Sequence, residues 1–192
     1  MPAPIELVRL LDDDGAEIGT ADKSLVHGAN TPLHLAFSCH LVDGSGRTLA
    51  TRRALSKLTW PGVWTNSFCG HPAPGETFED AVRRRAAVEL NIEISDIRPA
   101  LPDFRYRAVD ASGVVENEVC PVFTAVYAGS SDISPNPEEV CDWAWTDIVD
   151  LEEAVISTPF AFSPWLVQQV AEGIYTGGLL PGTPGVPSID SI

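Results

Sequence analysis

Glu116 and Glu118 stand two residues apart in a run that reads as a β-strand, VVENEVCPVFTAVYA over 114–128. Alternate strand residues leave the same face, so both carboxylates project to one side. Two anions pushed from one face of an apolar strand repel each other unless water solvates them or a cation sits between. Cys69 and His71 show the same spacing in the loop-prone stretch 60–74, and share a side if that run is extended. His27, His34 and His71 occupy polar or loop contexts, whereas His40 lies within a strand as an ordinary surface or core residue. Three imidazoles and two carboxylates form a donor set suited to a divalent transition metal. Their separations are too long for a local metal motif, so two solvated carboxylates on an exposed face remain the competing reading.

A further charged pair lies in a helix expected over 77–90. Thr77, followed three residues later by Asp80, resembles a capping box, with Asp in place of the usual Glu or Gln. Pro72, Pro74 and Gly75 keep the preceding chain out of the helix. Phe78, Ala81, Val82 and Ala86 recur at helical spacing and make one apolar face. Arg85 and Glu89, four residues apart, fall inside that face, although charge belongs on the opposite side of a plain amphipathic helix. Either they form an i,i+4 pair, solvated or buried, or the face looks into a site that needs charge.

The remaining elements are those that must position these residues. A strand over 5–10 turns through Asp12–Gly15 into a second short strand, and 23–30 reads as a polar connector holding His27. LHLAFSCHLV over 33–42 reads as one strand, DGSG at 43–46 as a hairpin turn, and 47–53 as the returning strand. Arg52, Arg53 and Lys57 then make a small basic cluster. After the helix, 101–108 reads as extended, with Tyr106 between two arginines, and VDASG at 109–113 as a turn. Pro121 marks a bulge or an edge in the strand over 114–128. A shorter strand over 138–145 and a helix over 147–156 follow, and Ser163–Pro164 caps a last helix running to about Gly173. The pattern predicts an α+β fold with a mixed sheet between helices, as one domain over 1–176. The Gly/Pro-rich segment 177–192 is expected to be a flexible tail.

At 192 residues the chain is long enough to bury a full core. Its net charge of −15 argues against a general nucleic-acid binder. All twelve Lys and Arg lie between Arg9 and Arg107, so an anionic ligand must be held by the middle of the chain or by a metal. Cys39, Cys69, Cys120 and Cys141 form no CxxC pair, and free thiols in a cytoplasmic protein are the expectation. The acidic N-terminus does not read as a signal peptide, and no run approaches the roughly 20 apolar residues of a membrane span.

LHLAFS (33–38), TNSFCGHP (65–72), ENEVCPVF (116–123) and FSPW (162–165), in that order, resemble the type 1 isopentenyl-diphosphate Delta-isomerases. The similarity runs from about Glu6 to Gly173. It implies the Nudix fold, an α/β/α sandwich with a mixed central sheet flanked by helices. It also implies interconversion of isopentenyl and dimethylallyl diphosphate in isoprenoid biosynthesis, through a carbocation. The Nudix hydrolase signature is matched only in part: Gly70, Glu76, Arg84 and Glu89 fit, while Arg85 and Val88 stand where two glutamates are expected and Asn91 replaces a glycine. That depletion favours an isomerase over the alternatives, a Nudix-type diphosphate hydrolase or a non-catalytic Nudix-like binding module. Asn91 can still take the left-handed conformation at a helix end.

Residue by residue, the resemblance implies that His27, His34, His71, Glu116 and Glu118 ligate one metal, Mn2+ or Zn2+, or else Mg2+. Glu89 and the backbone at Cys69 would hold a Mg2+ on the substrate diphosphate, which Lys23, Arg53, Lys57 and Arg85 would bind. Cys69 and Glu118 would be the proton-transfer pair, assisted by Tyr106, with Trp165 against the isoprenoid carbons. Moving a double bond this way needs a positioned acid, a base and exclusion of water, because the intermediate cation would otherwise be trapped. An indole face stabilises such a cation by ~2 kcal/mol when desolvated. The implied partner is a small diphosphate, not nucleic acid or membrane, and the implied state a monomer or weak homodimer.

Overall fold

The computed structural model describes residues 6–130 and 132–176; the expected tail at 177–192 lies outside them. The first hairpin pairs β1 (Leu7–Leu11) with β2 (Glu17–Asp22). Asp12 Oδ1 closes its turn by accepting from the backbone N–H of Asp14 and Ala16 at 3.1 and 2.8 Å. The segment expected as a polar connector instead opens with a single helical turn, α1 (Lys23–Val26). Asp22 caps it by accepting from Ser24 N, a signal that the polar composition of the segment hides.

The strand expected over 33–42 is broken at Ala36 into β3 (His34–Leu35) and β4 (Phe37–Asp43). β5 (Thr48–Arg53) returns through the expected turn. The stretch 60–74, expected as loop, contains β6 (Trp64–Thr65) and β7 (Phe68–Gly70), which pair with β5 and β4. Two- and three-residue strands show no periodicity and form only because a longer neighbour offers its edge.

α2 (Phe78–Arg85) starts where expected: Asp80 N donates to Thr77 Oγ1 at 3.1 Å. It continues into one π-helical turn, Ala86–Leu90, and ends at Asn91 in the left-handed conformation, φ 54°. β8 (Ser95–Leu101) is an edge strand, where Pro99 needs no ladder partner. The extended run expected over 101–108 narrows to β9 (Arg105–Val109), because the chain turns just after β8, with Phe104 N donating to Leu101 O at 3.4 Å.

The strand expected over 114–128 is likewise divided, at Cys120–Pro121, into β10 (Val115–Val119) and β11 (Val122–Tyr127). β12 (Val140–Thr146), α3 (Ile148–Ser157) and α4 (Pro164–Ala171) follow as the last strand and α-helices among the described residues, and Ser163 caps α4 by accepting from Leu166 N.

The two broken strands run side by side in parallel, β3 on β10 and β4 on β11, and together cross from one sheet to the next. One sheet has the order β2-β1-β3-β10-β9, the other β12-β5-β4-β11-β8. Side-chain alternation on β4 sorts the second sheet's two faces. Phe37, Cys39 and Leu41 pack with Ala81, Val82, Ala86 and Leu90 from the α2 side. Val42, Ala50 and Val122 pack with Ile148, Leu151, Val155, Leu166 and Val170 from α3 and α4. The mixed sheet between helices is therefore present, its strands shared between two sheets. No helix among the described residues is long and apolar enough to cross a membrane.

Candidate functional site

The seam where the paired strands change sheets places several chemistry-bearing residues in one row. Glu118 is directly opposite His34 on one side and Tyr106 on the other, so the three side chains leave the same face. His27 follows α1, and the bond from Val115 N to Gly28 O at 2.8 Å holds that segment against β10. His71 follows β7, with its carbonyl accepting from Arg84 Nη2 at 3.0 Å. Arg84 is itself clamped on both oxygens of Glu76 at 2.7 Å, so these two signature residues hold the loop that carries His71.

One possible ligand atom from each of His27, His34, His71 and Glu118 lies within 4.8 Å of the others. Glu118 Oε1 is 3.4 Å from His34 Nε2 and 3.3 Å from His71 Nε2. Glu116 stands beside this group, not within it: its Oε2 is 3.2 Å from His27 Nε2, and its Oε1 accepts from Thr59 at 2.7 Å. Glu116 and Glu118 are 7 and 5 % exposed, which removes the reading as a solvated face.

His34 Nδ1 donates to Pro32 O at 2.9 Å, which leaves its Nε2 with a free lone pair. Nε2 of His27, Nε2 of His34 and Nδ1 of His71 are buried without a hydrogen-bond partner. Each such group costs about 1–3 kcal/mol, which a cation held between them would offset. Burial lowers His71 to about 4 against the pull of Glu118, so its imidazole is neutral and free to ligate. Burial opposes the charge on Glu118 too, but the imidazoles of His34 and His71, 3.4 and 3.3 Å away, hold it well below the usual carboxylate range. The donor set therefore fits a divalent metal.

Cys69, Tyr106, Glu118 and Trp165 all line one cavity of about 630 Å³ that adjoins this cluster. Burial pushes the Cys69 thiol up to about 12, partly offset by the Ser38 hydroxyl at 3.3 Å, and the thiol donates to Asn66 Oδ1 at 3.5 Å. Burial and the charge of Glu118 push Tyr106 well above its ordinary value. Both groups are thus protonated at neutral pH. Trp165 is 2 % exposed, so it is a core residue as well as a wall of the cavity. Its Nε1 donates to Asn66 Oδ1 at 2.9 Å, and its ring lies 5.8 Å from that of Tyr106. The Arg53 guanidinium lies 5.2 Å from the Trp165 ring centroid. Asn66 is fully buried and also donates to the carbonyls of Cys39 and Phe68 at 3.0 and 2.8 Å, tying thiol and indole to one hub.

The basic residues expected at the site, Lys23, Arg53, Lys57 and Arg85, line the same cavity. Arg85 passes β7 only because position 70 is glycine; a Cβ there would lie 2.6 Å from Arg85 Cγ. Arg85 pairs with Glu89 at 2.5 Å and with Glu139 at 3.3 Å. Lys23 pairs with Glu6 at 2.6 Å, and Lys57 pairs with Glu139. Both readings of the Arg85–Glu89 pair therefore hold, since it is buried and faces the cavity. The four cations meet six lining carboxylates: Glu6, Asp22, Glu89, Glu116, Glu118 and Glu139. An anion entering this cavity needs added positive charge.

Sequence reasoning missed Asn66, Ser38, Glu6 and Glu139. Their partners lie across the fold, and only the unusual polarity of NSFC at 66–69 hinted at one of them. His40 lies apart from the cavity, fully buried and bonded to Gln169 and Tyr175.

The NUDIX domain family matches residues 32–166. The isopentenyl-diphosphate Delta-isomerase of Clavibacter michiganensis subsp. michiganensis is 62% identical over 170 residues, covering 88% of this chain and 87% of that protein. The one from Agromyces mediolanus is 61% identical over 173 residues, covering 90% and 83%. Among solved structures, DR0079 from Deinococcus radiodurans superposes with a TM-score of 0.66 at 21% identity, over 87% of this chain and 98% of that one. The MutT protein of Methanosarcina mazei Go1 gives 0.56 at 16% identity, over 73% and 92%. These two likenesses concern the fold alone.

Proposed function

This chain belongs to the isopentenyl-diphosphate Delta-isomerases of the NUDIX family, and from that premise we propose that it interconverts isopentenyl and dimethylallyl diphosphate inside the cavity shared by Cys69 and Glu118. It is an isomerase of isoprenoid synthesis. The single observation that carries the residue assignment is that a thiol and a carboxyl, remote in sequence, both line one cavity.

Isomerisation adds a proton to the terminal alkene carbon, leaving the cation on the neighbouring tertiary carbon, and removes a proton from the methylene on the diphosphate side of that tertiary carbon, so no atom is gained or lost. Cys69 and Glu118 divide these two transfers, with the protonated Tyr106 hydroxyl beside Glu118 as a further donor. The cation between the two steps would be captured by water, and burial of Tyr106 and Trp165 keeps the carbon end of the cavity apolar. The indole of Trp165 faces that cation. His27, His34, His71, Glu116 and Glu118 would hold a manganese, zinc or magnesium ion, which supplies fixed positive charge next to the buried carboxylates. Lys23, Arg53, Lys57 and Arg85 bind the diphosphate, with Glu89 and the Cys69 carbonyl as the place for a magnesium. The excess of carboxylates over cations in the wall supports that requirement.

Against the hydrolase alternative stands the helix: Arg85 fills the buried position of one signature glutamate, and Val88, at the other, is 45 % exposed. The test is incubation with isopentenyl diphosphate and magnesium in deuterated water. Deuterium in the dimethylallyl product, abolished in Cys69→Ala and Glu118→Gln with circular dichroism unchanged, is the expected result. Phosphate release would establish a hydrolase, and binding without deuterium uptake a binding module.

A further inference from the structure

A chain of buried hydrogen bonds outside the cavity ends on the Cys69 sulfur. Tyr175 Oη lies 3.0 Å from His40 Nδ1, and His40 Nε2 lies 2.8 Å from Gln169 Oε1. Gln169 Nε2 lies 2.9 Å from Ser38 Oγ, and Ser38 Oγ lies 3.3 Å from Cys69 Sγ. Ser38, His40 and Gln169 are fully buried, so water cannot stand in for any partner. The sheet dictates the meeting: Ser38 is directly opposite Cys69 in the β4–β7 pair, and His40, two residues on, leaves the same face toward α4.

We propose that this chain fixes the Ser38 hydroxyl as a hydrogen-bond donor to Cys69 Sγ, which makes Ser38, Gln169 and His40 positioning residues for proton transfer at the thiol. Direction follows from what each group is able to do. The amide oxygen of Gln169 only accepts, so His40 carries its proton on Nε2. His40 Nδ1 is then an acceptor, and Tyr175 O–H donates to it. The Gln169 amide N–H donates to Ser38 Oγ, which occupies one lone pair of that oxygen. Ser38 must direct its own proton elsewhere, and the Cys69 sulfur at 3.3 Å is nearer than that of Cys120 at 3.6 Å.

When Cys69 releases its proton, negative charge develops on a sulfur set in the cavity wall with Ser38 Oγ 3.3 Å away. A hydroxyl already aimed at it supports that charge without solvent and without reorganisation. The neutral His40 required by this direction agrees with its burial, which lowers it to about 4.

The proposal rests on Cys69 being a proton-transfer residue, and the experiment separates the two. Steady-state isomerisation is measured for the full-length wild type, Cys69→Ala, Ser38→Ala, Gln169→Met and the double variant Ser38→Ala/Gln169→Met. An inactive Cys69→Ala upholds the underlying reading, and an active one sinks it whatever Ser38 does. Loss of a hydrogen bond to a charged group predicts that Ser38→Ala lowers kcat by about 10- to 100-fold, with KM within about twofold. Gln169→Met lowers kcat in the wild-type background and adds nothing further in Ser38→Ala, because its effect passes through that hydroxyl. A kcat for Ser38→Ala within about threefold of wild type, or losses that multiply in the double variant, would overturn the relay. Should Gln169→Met fail to fold, alkylation of Cys69 by iodoacetamide at one fixed pH decides, with the exposed Cys141 replaced by serine. Slower alkylation in Ser38→Ala supports the relay, and an unchanged rate overturns it.

Discussion

Replacing His40 with glutamine should flatten the acid side of the stability curve. His40 is fully buried, and burial lowers it to about 4, against a slight raising effect from Gln169. In the unfolded chain the same imidazole titrates near about 6.5. As pH falls through that value the unfolded state takes up a proton that the folded state refuses, so stability is full above about pH 6.5 and declines below it. With these two values the loss is about 2 kcal/mol at pH 5 and levels off near about 3 kcal/mol below pH 4.

Glutamine cannot titrate, so His40→Gln lacks this term while keeping every other one. The assay is urea unfolding of both proteins at pH 7 and pH 5. Absolute stability falls in the variant, because Tyr175 and Gln169 lose well-placed partners, and only the difference between the two pH dependences matters. Wild type should lose about 2 kcal/mol more than the variant between the two pH values. Equal losses would refute the reasoning, since they require that His40 accepts its proton inside the fold.

Gly70→Ala places a methyl group 2.6 Å from Arg85 Cγ and 3.0 Å from the Phe37 ring. Overpacking of this kind costs about 1–3 kcal/mol, and KM for the diphosphate should rise, as steady-state kinetics would show. Arg84→Ala frees the His71 carbonyl and Glu76, and loss of such outer support typically weakens a metal site about 10- to 100-fold, measurable by competition against a chelator. Unchanged metal affinity would show that His71 is held without that clamp. Trp165→Phe removes the bond to Asn66 and shrinks the aromatic wall, so kcat should fall by more than KM rises.

Short-range chemistry was legible in the sequence because it acts between residues a few positions apart. Thr77 and Ser163 begin their helices as caps, DGSG closes its hairpin, and Asn91 takes the left-handed helix end. The period of two placed Glu116 and Glu118 on one face, and motif resemblance named the residues that gather at the cavity. Local pattern could not decide whether those carboxylates were solvated. That depended on β3 and β9 flanking β10 and on His27 and Thr59 arriving from elsewhere.

The break at Ala36 was invisible, and Pro121 signalled the other only as a bulge or an edge, for a related reason: a strand that changes sheets keeps its alternation, and only the neighbours on either side reveal the change. The π-helical turn that carries Glu89, the counter-charges of Glu6 and Glu139, and the path from Tyr175 to Cys69 are likewise set by contacts between distant segments. Propensity, capping and periodicity are local energies, written along the chain. Burial, charge pairing and the shape of a cavity are sums over neighbours that exist only once the chain has folded.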